Sequence, residues 1–195
     1  MLKEKLKDYH IILASGSPRR QSFFEDMGIP FEIKLKPIKE TYPPHLKRSE
    51  ITDYLAELKA TAFDGDLSSE EILITSDTIV WHDGTALGKP ADPAQAMEML
   101  KSLSDRTHEV ITSVSFSTSE KRKTVNCTTK VRFCKLSEEE IAYYINEFRP
   151  FDKAGAYGIQ EWIGLVGIDH IEGSYFNVVG LPTHLVYESL LEFTD

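Results

Sequence analysis

The run EILITSDTIVW over residues 71–81 constrains this chain more than any other stretch. Its β-branched residues mark a buried strand, and the polar Asp77 interrupts it just after the apolar stretch 72–74. The segments before it alternate in period. A strand over 9–14, a helix over 18–27 stopped by Gly28 and a strand over 31–35 give a βαβ-like opening. A helix over about 50–63 follows, with Ile51, Tyr54, Leu55 and Leu58 spaced to share one face, and the acidic turn DGDLSSEE ends it.

Beyond the strand, His82-Asp83-Gly84-Thr85 reads as a hairpin turn leading to Leu87. Asp92-Pro93 supplies an N-cap and a first helical residue for a helix to about Leu103, with Ala96, Met97, Met99, Leu100 and Leu103 on its apolar side. Residues 107–117 and 124–135 form a long β ribbon turning around 119–121, and Val125, Cys127, Thr129, Val131 and Phe133 share a face by strict alternation. Ser137 and Glu140 form a capping box for a helix to about Phe148. The last third is a Gly-rich stretch, then short strands, then a closing helix from Pro182. The order of elements predicts an α/β fold: a mixed twisted sheet flanked by helices.

Length allows one domain over 1–195, or two closely packed lobes, with a core that needs no disulfide or structural metal. Hydrophobic residues at 41% and charged residues at 27% exclude wholesale disorder. The formal net charge of -9, with no long Lys/Arg block, argues against nucleic acid or an anionic membrane as partner. An anionic ligand would therefore need locally concentrated cations and a bound metal ion. The apolar run 11–14 is too short for a signal-peptide core or a membrane span, so a cytoplasmic protein is expected. Cys127 and Cys134 are an odd number apart on one strand and read as free thiols. The histidines show no metal-ligand spacing, and Trp81 and Trp162 read as core or lobe-interface residues.

Chemistry concentrates in a few places. In Leu13-Ala14-Ser15-Gly16-Ser17-Pro18-Arg19-Arg20 a strand ends, a small loop follows and Pro18 starts a helix. Helix N–H groups, the hydroxyls of Ser15 and Ser17 and two guanidiniums suit phosphate oxygens, although Ser17 as a plain cap beside solvated arginines is the alternative. Asp77 puts a carboxylate where open α/β sheets tend to place ligand groups. Lys89, in Gly88-Lys89-Pro90, and the stretch Asp152-Lys153-Ala154-Gly155-Ala156-Tyr157-Gly158-Ile159-Gln160 add charges, glycines and an amide.

These segments resemble the Maf family of nucleoside triphosphate pyrophosphatases. LASGSPRR (13–20), SDTIV (76–80), GKP (88–90), THEVITSV (107–114), DKAGAYGIQ (152–160) and GSYFNVVGLP (173–182) occur in the family's order across nearly the whole chain. The resemblance implies an elongated two-lobed α/β fold with a central cleft, related to inosine triphosphate pyrophosphatases. It implies Asp77 as catalytic proton acceptor, and Ser15, Arg19, Arg20, Lys59, Lys89 and Lys153 as phosphate-binding residues. Arg19, Thr78 and Gln160 match the specificity positions of members that hydrolyse dTTP and UTP.

The family's metal site implies a divalent cation, Mg²⁺ or Mn²⁺, on Glu40 and Asp77, although Lys39 stands where the family has Asp beside that Glu. Water would attack the α-phosphorus, leaving nucleoside monophosphate and pyrophosphate. Arg149 replaces a common acidic residue before Pro150, and Glu161 replaces a frequent glycine. The resemblance also suggests a homodimer. Its rival implication is a nucleotide-sensing regulator of division and septum formation, which would bind without physiologically important turnover.

Overall fold

The computed structural model describes residues 1–194. In chain order its elements are α1 (Leu2–Lys5), a 3₁₀ turn (Leu6–Asp8), β1 (His10–Leu13), α2 (Pro18–Asp26), β2 (Glu32–Ile33), α3 (Ser49–Thr61), β3 (Glu71–His82) and β4 (Thr85–Leu87). They continue with α4 (Pro93–Leu103), β5 (Thr107–Ser117), β6 (Arg122–Phe133), α5 (Glu138–Phe148), a second 3₁₀ turn (Ala154–Ala156), α6 (Trp162–Gly167), β7 (Ile168–Glu172), α7 (Tyr175–Val179) and α8 (Thr183–Phe193). The sheet order is β2-β1-β3-β5-β6-β7, with β4 paired to β3. β1 runs parallel to both β2 and β3, while β4 pairs antiparallel with β3 and β7 antiparallel with β6, so the sheet is mixed.

Local chemistry explains where elements start and stop. Pro18 opens α2 at a position whose N–H a helix does not need, and Gly28 follows its end at φ 66°. Asp92 caps α4 by accepting from Gln95 N at 2.8 Å. Ser137 and Glu140 close a reciprocal capping box on α5. Asp83 and Gly84, at φ 46° and 78°, make the tight turn that sets Trp81 opposite Ala86. Arg149 ends α5 in the left-handed conformation, φ 47°, where a cation complements the negative end of the helix dipole.

Other expectations need correction. β3 continues through Asp77 without a break, because a partly satisfied carboxylate does not disturb the backbone ladder of a strand. β2 is two exposed residues rather than 31–35, since an edge strand pairs on one side only. The buried face of α3 is Ile51, Thr52, Leu55, Ala56 and Ala60, with Tyr54 38% exposed. The Gly-rich last third contains two short helices, α6 and α7, in addition to one strand. Both cysteines are free thiols, and among the described residues no helix is long and apolar enough to cross a membrane.

The chain divides into two units. The first comprises 1–77, 112–127 and 180–194, and the second 78–111 and 128–179, so β3, β5 and β6 each contribute to both. The first unit packs Leu13, Phe24, Ile72, Ile74, Phe116 and Leu190 in one core, and Ile12, Ala60, Phe63 and Leu73 in a smaller one. The second has a core of its own around Leu100, Val131, Phe133, Tyr144, Tyr157 and Ile163. Alternate burial along β6 follows the predicted face, with Thr129, Val131 and Phe133 fully covered.

Candidate active site

Asp77 lies on the stretch of β3 that belongs to the first unit, and α3 brings it a partner. Ala56 and Ala60 are fully buried on α3. Their small side chains let the helix approach β3 closely enough for Thr75 Oγ1 to donate to the Ala56 carbonyl at 2.6 Å. Lys59, in the last turn of α3, then reaches forward along the strand. Its ammonium donates to Asp77 Oδ1 at 2.6 Å and to the Ser76 carbonyl at 3.3 Å, and stands 3.1 Å from Glu40 Oε2. Lys59 is thus the bridge between an 8% exposed Asp77 and an exposed Glu40. Burial pushes the Asp77 carboxyl above its ordinary pKa, against the pull of Lys59 and Arg20.

The loop between β1 and α2 closes the other side of this cluster. Ser15 Oγ accepts from Ser17 N at 3.3 Å and from the Arg20 guanidinium at 3.5 Å, and Gln21 donates to the Ser15 carbonyl at 3.1 Å. Ser17 holds the N-cap position, but its hydroxyl makes no capping bond among the described residues. Arg20 donates from Nε to the Gly180 carbonyl and from its terminal nitrogen to the Ser76 carbonyl, both at 2.9 Å. Burial lowers its pKa and Asp77 raises it, yet an arginine stays charged throughout. The Ser76 carbonyl therefore anchors both Arg20 and Lys59, and two cations are fixed beside Asp77 by a backbone atom. Arg19 is half-buried and close enough to repel Arg20.

The second unit holds the other group. Lys153, 8% exposed, donates to Asp152 Oδ1 at 2.7 Å and lies 3.0 Å from Glu161 Oε1. The Gly155 N–H donates to the Gly88 carbonyl at 3.0 Å, which ties the segment bearing Lys89 to the 152–160 segment. Gly155 and Ala156 both take left-handed backbone conformations, φ 68° and 59°. A Cβ on Gly155 would stand 2.7 Å from Val80 Cγ2, so only glycine fits. Tyr157 is pinned by the 2.7 Å bond between its hydroxyl and His108 Nε2. Lys89 and Gln160 are exposed, and Thr78 is half-buried.

The family model described as Maf-like protein matches residues 10–193. The chain belongs to the Maf family. Among relatives, the dTTP/UTP pyrophosphatase of Flavobacterium johnsoniae is 60% identical over 190 residues, covering 97% of this chain and 98% of the relative. That of Christiangramia forsetii is 58% identical over 195 residues, the full length of both. That of Bacteroides fragilis is 50% identical over 186 residues, 95% of this chain and 96% of the relative. A solved HAM1 protein from Coxiella burnetii shares the fold, with TM-score 0.52 over 94% of this chain and 99% of its own at 15% identity.

For this Maf chain, the expected residues Ser15, Arg20, Lys59, Glu40 and Asp77 come together in the first unit, and Lys153 and Gln160 in the second. Several participants were invisible beforehand. The Ser76 and Gly180 carbonyls carry no side-chain signal, and Gln21 falls inside the helix expected over 18–27 without belonging to any motif. Tyr144, which bonds Glu161 from 17 residues away, belongs to no motif, and Glu161 stands out only as a departure from the family's glycine.

Proposed function

We propose that this Maf protein hydrolyses dTTP and UTP to the nucleoside monophosphate and pyrophosphate, with Asp77 handling the water. The observation that carries the reading is the carboxylate–ammonium–carboxylate line of Asp77, Lys59 and Glu40, buried at the Asp77 end. In the reaction a water oxygen bonds to the α-phosphorus and the α–β bridging P–O bond breaks. The water proton passes to the Asp77 carboxylate, whose burial-raised pKa favours taking it. Lys59, Arg19 and Arg20 oppose the negative charge that develops on departing pyrophosphate. Lys89 and Lys153 serve the phosphates as well, while Thr78 and Gln160, with Arg19, select the pyrimidine.

The same carboxylates fit a divalent cation. The position of Lys59 Nζ, 2.6 Å from Asp77 Oδ1 and 3.1 Å from Glu40 Oε2, supports this part of the reading, because positive charge is favoured between two carboxylates. Among the described residues no cluster of three or more His, Cys, Asp or Glu is poised to hold a metal. Mg²⁺ and Mn²⁺ commonly use one or two carboxylates plus substrate phosphates, which is the donor set offered by Glu40 and Asp77. When bound, the ion would neutralise phosphate charge and lower the pKa of its water. It would also pull the Asp77 pKa down, so activity compared across metals measures how Asp77 divides between proton acceptor and ligand. The reading places the enzyme in the cytoplasm with its substrates, as a homodimer that sedimentation would reveal.

The test is pyrophosphate release over the common nucleoside triphosphates. dTTP and UTP should be the best substrates, Asp77→Asn should abolish turnover and a chelator should stop it. Full activity in Asp77→Asn sinks the role of Asp77, and orthophosphate as first product replaces the reading with γ-phosphate hydrolysis.

A further inference from the structure

Glu161 stands where the family resemblance leads one to expect glycine, yet its carboxylate is fully used. Oε2 accepts the Tyr144 hydroxyl, and Oε1 lies 3.0 Å from Lys153 Nζ. Tyr144 is completely buried, and its oxygen accepts the Gly158 N–H at 3.0 Å. Burial first, and the bond to Glu161 second, raise the tyrosine pKa, so the hydroxyl remains a donor. A Cβ on Gly158 would stand 3.0 Å from Glu161 Cδ, 3.0 Å from Lys153 Cε and 3.1 Å from Gln160 Nε2. Three side chains thus converge on one bare Cα.

Lys153 donates to Asp152 and lies 3.0 Å from Glu161 Oε1, and an ammonium with three N–H groups can serve a further acceptor as well. We propose that Glu161 is a positioning residue of the substrate site: braced by Tyr144, it holds Lys153 in the orientation that receives a phosphate oxygen and fixes the turn carrying Gln160. This rests on the reading above, in which Lys153 and Gln160 bind substrate. A lysine immobilised in advance loses less rotamer freedom on binding. Charge alone predicts the opposite outcome, because removing a carboxylate near a polyanion site should tighten binding. The sign of the change in KM therefore separates positioning from plain electrostatics.

The experiment is steady-state pyrophosphate release from dTTP by the wild-type enzyme and the variants Glu161→Ala, Glu161→Gln, Tyr144→Phe, Lys153→Ala and Asp77→Asn, with a melting midpoint for each. Glu161→Ala should raise KM about tenfold with kcat changed less than about threefold, the signature of lost substrate binding. Glu161→Gln keeps an oxygen for Lys153 and should recover part of the loss. Tyr144→Phe keeps the Glu161 charge but removes its brace, and should raise KM by about threefold to fivefold. Wild-type or lower KM in both Glu161 variants overturns the proposal. So do losses of kcat and KM that simply follow the melting midpoint across the series, since these are the mark of structural support alone. If Lys153→Ala leaves KM unchanged, or Asp77→Asn stays active, the underlying functional reading fails instead.

Discussion

Lys59 Nζ lies 2.6 Å from Asp77 Oδ1, a close ion pair with 16% and 10% of the two side chains exposed. The pair joins the end of α3 to the middle of β3, and Glu40 extends it toward solvent. One cation thus holds the charge of Asp77 against the burial that opposes it.

Lys59→Met should consequently lower kcat/KM by about 100-fold, the scale of losing one preorganised electrostatic group from an active site. It should also raise the Asp77 pKa further, because burial then acts without its main opponent. Lys59→Arg should lose less than the methionine variant. Pyrophosphate release against pH checks both statements, and a methionine variant with wild-type kcat/KM removes Lys59 from the site.

Arg20 makes a structural prediction. Its two bonds to the Ser76 and Gly180 carbonyls arise from different nitrogens of one planar group, a geometry that lysine does not reproduce. Arg20→Lys should destabilise the fold by about 2 kcal/mol, the scale of one or two charged hydrogen bonds. Urea unfolding measures this, and unchanged stability would mean that the two carbonyls are satisfied without the guanidinium.

These residues show what was legible beforehand and why. Asp92, Ser137 and the Asp83-Gly84 turn were readable because caps and tight turns depend on a few neighbouring residues, and the structure has all three. The helix start and the polar residue within a buried strand put Ser15, Arg20 and Asp77 forward as candidates from the residues themselves, whereas Lys59 and Glu40 entered only through the family resemblance. Spacing alone placed Ser15, Arg19 and Arg20 at a helix start, but Arg20 is held by Gly180, 160 positions away, and by a backbone oxygen. Likewise α6 and α7 lie among glycines that suggest loops, yet Ile163 and Asn177 are buried, and tertiary packing overrides weak propensity there. Tyr54 failed for a related reason, since the face of α3 that meets the sheet favours the small Ala56 and Ala60.

Gly155 supplies a backbone test. Alanine there would meet Val80 at 2.7 Å and take a left-handed φ of 68°. Gly155→Ala should destabilise by about 2–3 kcal/mol, combining overpacking with backbone strain. Adding Val80→Ala should return only the steric share, because the φ requirement persists. Denaturant unfolding of the single and double variants distinguishes the two contributions. Full recovery in the double variant would show that the left-handed conformation carries no penalty here.

His108 makes the pH dependence of stability specific. It is 2% exposed, its Nε2 is bonded to the Tyr157 hydroxyl, and its Nδ1 has no hydrogen-bond partner among the described residues. Burial, with a smaller contribution from His82, lowers its pKa from 6.5 to about 3. In the unfolded chain the same ring takes up a proton as pH falls through about 6.5, while the native ring stays neutral until about 3. The unfolded state binds more protons across that window, so this residue's contribution is intact above the upper limit and is lost progressively as pH falls. The slope is at most about 1.4 kcal/mol per pH unit. His108→Gln places an amide near Tyr157 without a titrating ring, so its stability should fall less steeply on acidification. Urea unfolding of both proteins from pH 7.5 down to pH 4.5 isolates the effect, since their carboxylates are shared. The gap between the two should narrow as pH drops below about 6.5, and parallel curves would show that His108 takes up its proton equally well in the native state.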